Sequence, residues 1–222
     1  MAAGRERGGR ELVARHGGGE RVGVLIEFRT SLAWPGRVVE PAQLAAITRY
    51  RDLDEAQRYI DGHVQRGTLE RTGDGGFRAT PAGQGFLVEL YGQQAEAMAD
   101  HWRDDLDRVG RLNGVLHRLL QAATVTGGDA FAAMAPAFEP DGAAPGLLLL
   151  NRLSCLRYHR ADAHAAAWAA AGLTVPEIVT LPWGRERELI EAETDRRAAA
   201  PYEVLTPEER IGMLADLAAL PG

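Results

Sequence analysis

Helix starts are written into this chain more plainly than anything else, and very little of it can form a sheet. Thr80-Pro81 is an N-cap residue followed by proline at the first helical position. Thr206-Pro207-Glu208-Glu209 is a complete capping box with the same proline, and Asp52 with Glu55 three residues on makes a third capping arrangement. Strand-like runs are confined to Arg37-Val38-Val39, Thr68-Leu69-Glu70-Arg71 and Phe77-Arg78-Ala79, the last two flanking the turn cluster T-G-D-G-G. The expected fold class is therefore mainly α, with one small β-hairpin.

Between these markers the apolar spacing fills in the elements. Val22, Leu25, Ile26, Phe28 and Leu32 fit a helix over Glu20–Ala33, although V-G-V-L-I-E-F also reads as a strand, and periodicity leaves both open. Pro41 opens a helix through Tyr50. The helix capped by Asp52 buries Leu53, Ala56, Ile60, His63 and Val64, and Gly67 stands where a left-handed terminating residue is wanted. Thr80 launches a long helix, and Ala95–Ala123 continues helical with Met98, Trp102, Leu106, Val109, Leu112, Leu116 and Leu120 at threes and fours. Residues 124–146, rich in Gly, Pro and Ala, read as a linking loop with a short helix near Phe131–Met134. Leu147–Ala171, Arg185–Ala199 and a last helix to about Leu220 complete the chain. The expected organisation is a basic arm over 1–19, a first unit over 20–123 ending in the long helix, a linker over 124–145 and a helical C-terminal domain over 146–222.

The order helix, short strand, helix, capped helix, hairpin, long helix is that of a winged helix-turn-helix. The stretch D-L-D-E-A-Q-R-Y-I-D-G-H-V-Q-R-G-T-L-E-R-T-G-D-G-G-F-R-A-T-P-A-G, within Val38–Leu87, resembles the DNA-binding core of MarR-type regulators. That resemblance implies that the Asp52-capped helix is a recognition helix, the hairpin a wing, and T-P-x-G the start of a dimerisation helix. Later, L-R-Y-H-R-A-D-A-H-A-A-A-W-A-A-A-G-L and E-A-E-T-D-R-R-A-A-A-P-Y-E-V-L are similar to an uncharacterised helical family from high-GC bacteria that also carries a winged helix. In that family the winged helix sits between the two runs; here it precedes both, and the similarity implies no particular chemistry.

Composition removes several classes of function. The 25 basic residues are all arginine, so there is no Walker A lysine, Schiff base or lysine general base. Serine occurs only as Ser31 and Ser154, neither in a G-x-S-x-G elbow. The single cysteine, Cys155, allows no internal disulfide or multi-cysteine zinc site and suits a reducing cytoplasm; at its helical position it reads as packing rather than a redox sensor. The first twenty residues lack the apolar core of a signal peptide, and no 18-residue apolar run is present, so a cytoplasmic protein without a membrane partner is expected. Net charge is −6; residues 1–19 carry +2 and residues 91–222 carry −7, which argues against nonspecific nucleic-acid binding and leaves a localised DNA contact open.

Two sets of residues carry the functional expectations. For double-stranded DNA, Arg58 and Gln65 lie on the outward face of the capped helix and can read bases, with Arg49, Arg51, Arg71 and Arg78 placed for phosphates; Asp54, Glu55 and Asp61 share that face and oppose it. For a small anionic or aromatic ligand, the dense polar cluster is Arg157, His159, Arg160, Asp162 and His164 with Trp168, in the apolar helix 147–171. Arg157, Arg160 and His164 fall on the stripe of Leu153, Leu156 and Trp168, and His159 with Asp162 forms an i,i+3 pair. The competing explanation is internal: the same arginines meeting Glu191 or Asp195. A metal is not expected, because His159 and His164 point about 140° apart. The expectation is a MarR-like regulator, homodimeric through its long helices, with ligand sensing in the helical half and no cofactor. The alternative is a small-molecule-binding protein or enzyme on the same scaffold with no DNA role.

Overall fold

A computed structural model describes Ala14 and residues 19–221; the expected basic arm lies almost wholly outside the described residues. The fold is mainly helical, with one two-stranded antiparallel hairpin. The first helices are α1 (Gly19–Glu27) and α2 (Arg29–Ala33), then α3 (Pro41–Ile47) and α4 (Leu53–Gln65). Strands β1 (Leu69–Arg71) and β2 (Phe77–Ala79) pair with Glu70 opposite Arg78. The long helices α5 (Pro81–His101) and α6 (Leu106–Ala123) come next, then short α7 (Asp129–Met134) and α8 (Pro145–Ala170). The chain finishes with α9 (Val175–Thr180), α10 (Arg185–Ala198), a 3₁₀ turn (Ala200–Val204) and α11 (Pro207–Ala219).

The helix starts form where the cap chemistry puts them. Asp52 accepts from the amides of Asp54 (2.8 Å) and Glu55 (3.3 Å), while the Glu55 carboxylate accepts from Tyr59 (3.4 Å) instead of reaching back. The Thr80 hydroxyl accepts from the Gly83 amide (3.3 Å), and Thr206 with Glu209 completes the capping box of α11. Residues 20–33 resolve as helix because Val22, Leu25, Phe28 and Leu32, spaced at threes and fours, are all buried on one side. Helix α3 stops at Ile47, short of Tyr50: the Thr48 hydroxyl donates to the Leu44 carbonyl (2.8 Å) beside the last backbone bond. Of the expected strand at 37–39, only an isolated bridge between Val39 and Phe77 is present.

Two expectations are corrected. Residues 95–123 are not one helix: the chain breaks over residues 102–105, where the Trp102 ring donates to the Pro221 carbonyl (3.4 Å) and Asp105 pairs with Arg108. Residues 124–145 are more than a connection. Their helix α7 inserts Ala130, Phe131 and Met134 into the same core as Leu25, Phe28, Leu44, Phe77 and Phe86. Helix α8 reaches every core: Leu147, Cys155 and Tyr158 join that first cluster, Leu149 packs with Trp102, Leu112, Leu116 and Met213, and Ala167 packs with Ile178 and Ile190. Much of the apolar surface expected to hold a dimer is consequently covered by the chain itself, with Leu87, Trp102 and Leu116 buried and Leu106 exposed.

Gly67 ends α4 with φ +71°, a conformation that strains any side chain. Gly83 is required for a different reason. A Cβ there would stand 2.2 Å from the Thr68 carbonyl oxygen, where α5 crosses the start of the hairpin. Gly83→Ala should therefore destabilise the chain by about 3 kcal/mol or more despite its better helix propensity, as read by denaturant unfolding.

His63, buried in α4, has its Nδ1 2.8 Å from the Thr68 hydroxyl and its Nε2 without a partner. Burial, helped by the charge of Arg66, pulls its pKa down from 6.5 to about 4. The folded state favours the neutral ring, so this contribution to stability is complete above pH 6.5 and is lost as pH falls from there through about 4. Unfolding free energies measured from pH 7 to pH 4 should decline with a component that His63→Gln removes.

Candidate functional site

The polar cluster of α8 divides between structural work and two clefts. Asp162 has the most partners. Its carboxylate accepts from the amides of Gly128 (3.1 Å), Ala130 (3.3 Å) and Phe131 (2.8 Å), capping α7, and it pairs with Arg49 at 2.5 Å. Arg49 also donates to the Ala161 carbonyl (3.1 Å), so it binds α8 rather than standing free for a phosphate. His159 does not pair with Asp162. It is buried, meets the Thr126 hydroxyl at 2.8 Å and stacks edge-on against Phe131, and burial lowers its pKa.

Arg160 donates to both Glu191 (3.0 Å) and Asp195 (3.0 Å), the internal arrangement foreseen as the competing explanation. It also lines a cleft of about 480 Å³ with Leu156, Tyr202 and Met213. Trp168 can only donate, and its ring nitrogen bonds Tyr50 at 3.1 Å. The Tyr50 hydroxyl also lies 3.0 Å from His164 Nδ1, and His164 Nε2 lies 3.6 Å from Glu191. Burial is the main cause of a lowered His164 pKa. Arg157 separates from Arg160: it turns to Tyr158 (2.7 Å) and lies 4.0 Å from Glu27 of α1. The expected single ligand-binding stripe is thus split between two neighbours, α10 and α1.

On the surface of α4 and the hairpin, Arg71 bonds Asp61 (2.7 Å) and Gln57 (2.8 Å), and Arg78 bonds Glu70 (2.5 Å). Arg51 lies 3.5 Å from Glu27. Arg58 and Gln65 are exposed, and no ion pair holds Arg58 among the described residues. Asp52, Asp54, Glu55 and Asp61 are exposed around them.

An apolar cavity among the described residues was not visible in the sequence. It holds about 570 Å³ between α6, α7, the segment after α7, and α8. Buried Phe131, Ala137 and Cys155 lie deepest, Trp34, Leu120 and Ala132 extend the apolar wall, and exposed His117, Gln121 and Thr124 form the rim. Glu139 also lines it, but its carboxylate is held by both Nε (2.7 Å) and Nη2 (2.8 Å) of Arg152, which keeps its pKa low. Burial pushes the Cys155 thiol up to about 12, so it stays protonated near neutral pH. These residues come from three separated stretches with no shared motif; the only advance signal was a Gly- and Ala-rich segment with an aromatic inside it.

Among the described residues no cluster of His, Cys, Asp or Glu could hold a metal, and no helix is long and apolar enough to cross a membrane. No protein-family model matches the chain, and no curated protein or solved structure is found to resemble it.

Asp162→Ala should destabilise the fold by about 3 kcal/mol or more, because it strands a mostly buried guanidinium and uncaps α7. Arg160→Met, which breaks an exposed pair, should cost about 1 kcal/mol or less. Equal losses in thermal unfolding would contradict this division of labour.

Proposed function

We propose that this chain is a small-molecule-binding protein built on a winged-helix scaffold, whose ligand is uncharged, mainly apolar and of the size of a two- or three-ring compound. The cavity walled by Trp34, Phe131, Ala132 and Cys155 carries this reading. Its volume lies in the range of ordinary ligand sites, roughly 300–1,000 Å³, and its polar groups are few and gathered at one edge. The charge of Glu139 is already matched by Arg152, so a neutral ligand with one hydrogen-bonding group for His117 or Gln121 fits better than an ion. A protonated Cys155 supports binding rather than thiolate chemistry.

The order of α3, α4 and the hairpin supports the winged-helix scaffold. A second reading, DNA contact through α4, is favoured by exposed Arg58 and Gln65. Against it, the arginines flanking them are matched by Asp61, Glu70 and Glu27, so few charges remain to release counterions from a duplex.

The neutral dye N-phenyl-1-naphthylamine should show enhanced, blue-shifted emission with the wild-type protein. Ala132→Trp, placed at an exposed position of the wall, should abolish that signal while changing stability by less than about 1 kcal/mol. No enhancement with wild type would sink the ligand reading. Micromolar protein should give no specific gel shift of its own upstream DNA; a salt-sensitive shift lost in Arg58→Ala would instead favour the second reading.

A further inference from the structure

A separate, smaller cavity of about 280 Å³ lies between α1, α2, α7 and α8, and its chemistry is the reverse of the apolar one. Two guanidinium groups line it, Arg29 and Arg157. Arg29 spends Nη1 on the Ile26 carbonyl (3.1 Å) and Nη2 on the Ser154 hydroxyl (3.0 Å), while its buried Nε has no partner. No carboxylate pairs with it among the described residues. That is unusual for a partly buried cation, since desolvation without a counter-charge is strongly unfavourable. Arg157, 70% exposed, donates one Nη2 hydrogen to the Tyr158 hydroxyl (2.7 Å) and lies over that ring at 4.7 Å, lining the cavity from its exposed side with its other N–H groups unassigned to an acceptor.

Glu27 is the single acid in the lining, and it is already shared. It accepts from Tyr158 at 2.7 Å, and its two oxygens lie 3.5 Å from Arg51 and 4.0 Å from Arg157. The Ser154 hydroxyl accepts from Arg29, so its hydrogen remains available to donate. Met134 and Leu153 supply an apolar wall beside these donors.

We infer that this cavity binds a small organic carboxylate. The carboxylate sits between Arg29 and Arg157 and receives the Ser154 hydrogen, and a short apolar body rests on Met134 and Leu153. Two charge-assisted donors favour an oxyanion, and the apolar wall favours a carboxylate with a hydrocarbon portion over inorganic phosphate. The site shares no lining residue with the larger cavity and does not depend on the ligand proposed there.

The test is a titration at constant ionic strength with benzoate, benzamide, acetate and inorganic phosphate, read by calorimetry and by thermal shift against chloride. Benzoate should bind and raise Tm, acetate and phosphate should do less, and neutral benzamide should do nothing. Arg157→Met, at an exposed position whose contacts within the chain are the Tyr158 hydroxyl and a 4.0 Å approach to Glu27, should weaken benzoate about tenfold, the loss expected for a hydrogen bond to a charged group. Glu27→Gln should strengthen it by removing a competing carboxylate while keeping an acceptor for Tyr158. Ala132→Trp should leave the benzoate response intact, separating this site from the apolar cavity. Benzoate behaving like chloride or benzamide, or binding unchanged in Arg157→Met, would overturn the assignment. Tighter binding of phosphate than of benzoate would overturn the organic carboxylate.

Discussion

The Asp162 carboxylate is the contact on which the arrangement of both cavities depends. A six-residue helix such as α7 has no stability of its own in water, because one turn fixes several backbone angles for a single hydrogen bond. Its amides would be orphaned at the N-terminus. Asp162 satisfies three of them from α8 and at the same time neutralises Arg49, which follows α3. The apolar side of α7 is then driven into the first core by Phe131 and Met134. Electrostatics sets where the helix begins, and burial of the aromatic sets which way it faces. Phe131 and Ala132 become one wall of the apolar cavity, and Met134 becomes a wall of the polar one.

What could be read from the sequence, and what could not, follows from the range of the interactions. Asp52, Thr80 and Thr206 act on amides two or three residues away, so their helices were legible from a few letters. The capping boxes of Glu40 with Gln43 and Thr174 with Glu177 were equally local and went unread; the second marks helix α9. The break at 102–105 contains neither proline nor glycine, and apolar spacing runs straight across it. The role of α7 depends on Asp162, more than thirty residues later, which no local pattern announces. In α8 apolar residues serve three cores, so its polar residues do not sort into one stripe, and helical angle alone could not assign Arg157 and Arg160 to different neighbours.

The absence of lysine sharpens the same point about charge. Each arginine presents a planar fork that can hold two acceptors, and here many of those forks are filled by the chain. Arg152 grips Glu139 and also donates to the Asn113 carbonyl (2.7 Å), Arg111 grips Asp216, and Arg118 grips Glu209. Counting arginines on a face therefore overstates the charge available to a partner. For Arg78 the correction was available early: the T-G-D-G-G turn fixes a register that sets Glu70 directly opposite it, and opposed unlike charges pair. Arg58 differs: Asp54, Glu55 and Asp61 lie one turn away on its own helix, yet no ion pair joins it to them among the described residues, and it is the residue on which the DNA reading most depends.

The two cavities meet the same helix one residue apart, and this explains how they keep different chemistries. Ser154 lines the polar one and Cys155 the apolar one. Successive residues on an α-helix are rotated by about 100°, so these side chains leave α8 toward different surroundings. Toward Cys155 the neighbours are Phe131, Ala137 and Leu120, which leave a thiol with little reason to ionise. Toward Ser154 the neighbours are Arg29 and Arg157, which favour an anion. A helix with apolar residues on every side can separate two such environments, because neither needs to reach through its backbone. Exchanging Ser154 and Cys155 would place the hydroxyl at the buried position against Phe131 and leave Arg29 Nη2 with a weaker sulfur acceptor. The order of two neighbouring letters therefore sets which side of α8 faces an apolar cavity and which faces the two guanidinium groups.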